Sequence, residues 1–275
     1  MGFFTKRRKD GKYVSQKGSY SILLPYVCRS RTESCIYYSR QVRVGALMDF
    51  LAKQKEQGAE LTFFNVVMAA LVRTATERPH LNRFIAGRRL YQRKTFDASY
   101  IVKIEKSDTG GDTIANLKFS GGETLEQIAP MMNNLNKKLR KESNEDADFW
   151  IKAIGVLPRF LIRFFVWFLR WTDFNGIQPK GLMEVQPYFG SIFIANLGSI
   201  GIDAPFHHLY DNGTTSIFLT IGNIHDAPVV DENGDIVKDK VVNMAFTLDE
   251  RIADGFYMGR SIEIFENYLK NPQLL

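Results

Sequence analysis

Residues 246–260 read FTLDERIADGFYMGR: strand composition passing into helix composition, with Asp249, Glu250, Arg251 and Asp254 gathered at the turn. A carboxylate placed like Glu250 either takes a proton from a reacting hydroxyl or thiol as a general base, or closes an ion-pair network at a strand end. A second source of a base is HHLYDNGTT, residues 207–215. Imidazole is the acid–base group suited to neutral pH. Two adjacent residues on an extended segment point to opposite sides, so at most one of His207 and His208 is expected to face a given cleft. His80, in a helix-ending turn, and His225, in a hairpin, read as structural. No set of His, Cys and carboxylates has the spacing of a metal site, so no metal is expected. No GxGxxG fingerprint and no phosphate loop is present.

The elements that must position these groups follow from periodicity. Residues 34–42 have strand composition, and 44–57 have helical periodicity ending at Gly58. Thr62 is placed to cap a helix that Pro79 ends, and Phe63, Val66, Val67, Ala70, Leu71 and Thr74 give it one apolar stripe for packing on a sheet. Residues 83–93 read as a hairpin around Gly87, 98–105 and 113–119 as strands, and 123–141 as a helix. Strands are expected at 191–196, 214–222 and 241–248, with a hairpin at 232–235, and a last helix at 254–269.

The stretch FWIKAIGVLPRFLIRFFVWFLRW (149–171) is the most hydrophobic in the chain, yet holds four cations and Pro158. That excludes a plain membrane span. Arg159, Arg163 and Arg170 share one helix face. Three roles fit a basic amphipathic helix here: burial against the chain's own body or a neighbouring subunit, contact with an anionic membrane, or the covering of a channel.

The chain has 275 residues, 45% hydrophobic and 24% charged, which is the balance of a globular protein. Its net charge of +6 suits a membrane surface or a phosphate-bearing small molecule; without a nucleic-acid-binding signature, no nucleic-acid partner is expected. Cys28 and Cys35 lack CxxC spacing and read as reduced thiols of a cytoplasmic protein. The organisation expected is a basic N-terminal arm over 1–33 and one domain over 34–275 with a hydrophobic, basic helical insertion at about 144–190.

With the elements placed, the sequence resembles the chloramphenicol acetyltransferase-like family, above all the catalytic domain of the acyltransferase component of 2-oxoacid dehydrogenase complexes. LTFFNVVMAALVRTATERPHLNRFI (61–85), GSIFIANLGSIGI (190–202) and MAFTLDERIADGFYMGR (244–260) carry the resemblance. It implies an α/β two-layer sandwich with a mixed sheet flanked by helices, assembled as a homotrimer or a larger cage. It also implies an active-site channel between subunits, entered by coenzyme A and by the acyl acceptor. In that family a histidine of the last stretch is the general base, and a serine of the neighbouring subunit donates to the oxyanion.

This chain departs from the pattern at both positions. Glu250 stands where the histidine belongs, and Ala195, which has no donor, stands where the serine belongs. Removing an oxyanion donor costs on the order of 100- to 1000-fold in rate, and losing a positioned base roughly 100- to 10,000-fold. An ordinary carboxylate is also a poor match for a thiol near 8.5, unless burial raises it. Asn196, Ser199, Thr214 and Thr215 are candidate replacement donors. Asp254 and Gly255 read as architectural, with Asp254 expected to pair with Arg29, Arg31 or Arg40. Two readings remain open. One is a coenzyme A-dependent acyltransferase with Glu250, His207 or His208 as base; the other is a catalytically silent trimeric or cage-forming scaffold that binds acyl-CoA. A peripheral position at the inner membrane face, through 149–171, is compatible with either.

Overall fold

The computed structural model describes residues 8–16, 18–104, 111–141, 157–231 and 233–275. Its centre is a six-stranded mixed sheet in the order β2-β9-β8-β7-β5-β6. The strands are β2 (Cys35–Arg43), β5 (Phe96–Lys103), β6 (Asp112–Phe119), β7 (Ile192–Asn196), β8 (Ile217–Val230) and β9 (Ile236–Asp249). β7 runs parallel to both β5 and β8, and the other pairs are antiparallel. A separate small sheet joins β1 (Gly11–Tyr13), β4 (Arg89–Arg93) and β3 (Arg83–Ala86) in the order β1-β4-β3.

Alternation along the central strands sorts their side chains onto two faces. Ile192, Ile194, Ile217, Leu219, Ile221, Met244, Phe246 and Leu248 face the helical layer and are buried. That layer is α2 (Gly45–Glu56), α3 (Phe63–Glu77), α4 (Leu125–Lys141) and α7 (Gly255–Lys270), and together they form one core. The stripe expected for α3 is buried from Val66 to Val72, and Pro79 ends the helix in a short 3-10 turn. Thr62 caps it reciprocally: Asn65 N donates to Thr62 Oγ1, and Thr62 N donates to Asn65 Oδ1 at 2.9 Å.

Among the described residues no α-helix of the core layer packs on the second face of the sheet. Residues 203–215 cross part of it. Phe206 meets Tyr37 edge-on at 5.5 Å, and Thr220 Oγ1 donates to Pro205 O at 2.5 Å. Elsewhere on that face Tyr37, Ile101 and Ile114 stay exposed. The turn after β7 requires glycine at 198, because a β-carbon there would collide with the Gly222 carbonyl of the neighbouring strand.

The stretch expected as a basic arm carries structure within 8–33. β1 pairs with β4, and α1 (Ser19–Val27) follows. Arg8 is buried, donating to Asp10 at 2.9 Å and to Asp173 Oδ1 at 2.7 Å. Paired guanidinium hydrogen bonds fasten this segment, together with the packing of Tyr13 on Phe84 and Tyr91 and of Val14 on the main core. In the expected insertion, α5 (Arg159–Phe174) and α6 (Lys180–Val185) form; residues 144–156, Lys152 among them, lie outside the described residues.

Candidate active site

β9 ends at Asp249, and Asp254 caps α7 by accepting from Tyr257 N at 2.9 Å. Between them the chain turns tightly enough to bring Arg251 back onto Asp249. Arg251 Nε donates to Oδ1 at 2.8 Å and Nη2 to Oδ2 at 2.7 Å, with the two side chains 3% and 0% exposed. Burial alone would lower the Arg251 pKa, but Asp249 outweighs it and the net shift is upward. The third nitrogen, Nη1, donates to Cys28 O at 3.1 Å.

Glu250 is thereby left out of the ion pair beside it. Its amide donates to Ser34 O at 3.0 Å, and its carboxylate Oε1 accepts from Cys28 Sγ at 3.7 Å. Burial, and then the charge and hydrogen bond of Glu250, push the Cys28 thiol up. The side chain at 250 therefore holds a protonated thiol against a carboxylate oxygen. Cys28 reads in the sequence only as a reduced thiol; its contact with Glu250 is not legible there, because the two stand 222 positions apart.

Ala195 lies on the helix-free face, level with Thr220 and Ala245 on the adjoining strands. It is 6% exposed and packs with Phe193, Leu209 and Phe218. Glu250 is five residues past Ala245, about 17 Å along the strand direction at 3.3–3.4 Å per residue. One strand, β8, also lies between β7 and β9. One chain does not bring the two positions together.

The candidate donors are engaged elsewhere. Asn196 follows Ala195 on the strand and so points to the opposite face. Thr214 Oγ1 accepts from Arg93 Nη2 at 2.6 Å in full burial, Thr215 Oγ1 donates to Tyr188 O at 2.8 Å, and Ser199 Oγ donates to Asn196 O at 2.8 Å. Thr220, beside Ala195, is a hydroxyl the sequence reading passed over; its register on β8 is the signal that reveals it.

The two histidines do not diverge as alternation predicts. Their rings stack on each other at 4.6 Å, and His207 also stacks on Phe218 at 4.0 Å and 11°. The aromatic surface of the sheet beneath, not backbone alternation, sets their orientation. Burial lowers the His207 pKa below its ordinary 6.5, although its contact with the His208 carbonyl works the other way. His80 stacks on Tyr257 at 4.4 Å, and His225 Nδ1 lies 3.2 Å from Asn223 O.

Asp254 pairs with none of the three arginines proposed for it. Arg40 pairs with Glu266 at 3.2 Å, and among the described residues Asp254 serves as a helix cap. Arg31 is buried, donating to Ile85 O at 2.7 Å and Asp211 O at 3.2 Å, while its Nε has no partner among the described residues. Burial pushes its pKa down despite Asp249 nearby. Next to it opens a cleft of about 310 Å³ lined by Arg29, Arg31, Arg88, Arg170 and Arg251. The two carboxylates at the cleft are in use: Asp173 with Arg8, and Asp211 as acceptor from the amide of Arg31 at 2.9 Å. The cleft is a cationic basin with the 249–251 turn at its edge.

The model of the family described as 2-oxoacid dehydrogenases acyltransferase (catalytic domain) matches residues 182–275, which include β7, the glycine turn and the Asp249–Asp254 turn. The lipoamide acyltransferase component of the branched-chain alpha-keto acid dehydrogenase complex of Bacillus subtilis is 26% identical over 207 residues, covering 75% of this chain. This chain spans only 38% of that relative's length. The cubic core of the pyruvate dehydrogenase multienzyme complex superposes with a TM-score of 0.61 at 16% identity, over 95% of this chain and 93% of that one. A chloramphenicol acetyltransferase superposes at 0.55 and 15% identity, over 94% and 100%. The fold is that of the chloramphenicol acetyltransferase-like acyltransferases, and the resemblance drawn from the three sequence stretches is borne out.

Proposed function

We propose that this chain is an acyl-CoA-dependent acyltransferase with a rewired site, in which Glu250 accepts the proton of a thiol acceptor. The observation that carries this reading is the contact of Glu250 Oε1 with the Cys28 thiol at 3.7 Å, made while Asp249 occupies the neighbouring Arg251. A carboxylate already holding an S–H is oriented as a base toward an incoming thiol would be. Arginines of the cleft beside the turn are suited to the phosphates of coenzyme A, since guanidinium groups bind phosphate through paired hydrogen bonds.

The working unit in this reading is a homotrimer, alone or within a cage. The separation of Ala195 from Glu250 within one chain supports it, because the family pairs these positions across a subunit boundary. The exposed Tyr37, Ile101 and Ile114 on the helix-free sheet face support it too. In the transfer itself, the acceptor S–H bond breaks as Glu250 takes the proton. The thiolate then forms a bond to the acyl carbon, and coenzyme A leaves as its thiol when the proton is returned. His207 is the second candidate base, and its neutral form at pH 7 is the one that accepts a proton.

A second reading, a scaffold that binds acyl-CoA without turnover, is favoured by one observation: Ala195 offers no donor and sits among buried apolar side chains. The two are separated by incubating the protein with acetyl-CoA and a thiol acceptor and following free coenzyme A by chromatography. Turnover that falls in Glu250→Gln supports the carboxylate base. Turnover that survives in Glu250→Gln and dies in His207→Ala moves the base to the histidine pair. A trimer that binds acyl-CoA and releases none is the scaffold.

A further inference from the structure

We infer that α5 is a docking element for an anionic lipid surface. Its side chains sort into three sectors at roughly 100° per residue. Ile162, Leu169, Thr172 and Asp173 fall together toward the body: Thr172 is buried and the others are half-buried. The opposite sector holds Phe160, Phe164, Trp167, Phe168, Trp171 and Phe174, exposed from 43% at Phe168 and Trp171 to 68% at Phe160. Contacts among these rings run along the helix, Phe164 to Trp167 at 5.8 Å and Phe168 to Trp171 at 6.2 Å. Arg159, Arg163 and Arg170 occupy an arc of roughly 40° that borders the aromatic sector.

Six aromatic rings turned away from the chain's own core form an apolar patch of the kind that marks an interaction surface. Charge decides what covers it. The only acidic residue of the helix is Asp173, and Arg8 holds it at 2.7 Å, so the exposed helix surface is cationic. Arg163 and Arg170 flank Trp167 in a shallow depression of about 340 Å³. Rings that enter the acyl boundary beside guanidinium groups at headgroup level are the pattern of a helix lying in the interface plane. The same face on a second copy would set arginine against arginine. α1 extends the surface: Tyr20, Leu23 and Val27 are exposed, and its Pro25 lines the same cleft as Arg170 and Phe174. Among the described residues no helix is long and apolar enough to cross a membrane, so the contact is peripheral. This inference rests on α5 and its neighbour α1 and does not require the acyltransferase reading.

The test is co-sedimentation of the full chain with vesicles of phosphatidylcholine, with and without phosphatidylglycerol. Binding is expected only to the phosphatidylglycerol vesicles, to weaken with salt, and to shift tryptophan emission to the blue. Arg159→Gln with Arg163→Gln should weaken it by about 25-fold, at about fivefold per charge. Phe160→Ser with Phe164→Ser should abolish it, with circular dichroism and oligomeric size unchanged. Three results would each overturn the inference: protein left in the supernatant at low salt, binding indifferent to the arginine variants, or a drop in oligomeric size for the Phe160/Phe164 variant. The last would assign the face to a second copy.

Discussion

Arg251 grips Asp249 through two hydrogen bonds of 2.8 and 2.7 Å, two residues apart in sequence and both buried. This pair decides the electrostatics of the turn, since it withdraws the only cation flanking Glu250 in sequence and leaves the carboxylate to a thiol. It also fixes how β9 hands over to α7.

Breaking such a pair by removing one partner leaves an uncompensated buried charge. Asp249→Ala should therefore destabilise the fold by about 3–5 kcal/mol, read from denaturant unfolding. Asp249→Leu combined with Arg251→Met should cost less than either single change. A double variant as damaged as the singles would mean the turn depends on the cation's contact with Cys28 O.

Glu250→Gln keeps the shape of the side chain and removes its basicity. Coenzyme A release should fall roughly 100- to 10,000-fold with the fold intact. Glu250→Asp, which keeps the carboxylate but draws it back, should retain part of the rate. A Gln variant with full activity would end the case for a carboxylate base.

Ala195→Ser restores a hydroxyl where the family places its oxyanion donor. If a subunit boundary brings that hydroxyl to the acyl carbon, the rate should rise by up to about 100- to 1000-fold. In an isolated chain the same hydroxyl is buried among Phe193, Leu209 and Phe218, where a polar group without a partner costs about 1–3 kcal/mol. A faster enzyme of unchanged stability places the hydroxyl at the boundary; a destabilised protein with no rate gain leaves it buried within one chain.

Asp10 gives a pH prediction. Burial would raise its pKa, but the hydrogen bond and charge of Arg8 outweigh burial and hold it below the ordinary 3.8. A depressed carboxyl contributes stability that is complete above its unfolded value and lost as pH falls through the folded one. The clamp of residues 8–13 on Asp173 should therefore loosen below about pH 4, seen as amide exchange in β1 and β4. Asp10→Asn should remove that acid sensitivity and weaken the clamp at neutral pH.

Much of the framework was legible in the sequence because it rests on local signals. The α3 stripe, its Thr62 cap and the Pro79 stop each act within a few residues, and the structure keeps all three. α1 was missed because SYSILLPYV has no amphipathic period and carries Pro25 inside it. β1 was missed because it is three residues long and owes its place to pairing with β4. At the site the limit was distance along the chain. Nothing near Glu250 announces Cys28, nothing near Thr214 announces Arg93, and the His207 ring follows Phe218 rather than its neighbour.

Ala195 sits on β7 and Glu250 in the turn that follows β9, five residues past the level of Ala195 within one chain. In the proposed homotrimer, any reaction requiring both is a property of a pair of molecules, so dilution acts on it as an inhibitor would. Two separately crippled copies, one altered at each position, can still assemble one sound boundary between them.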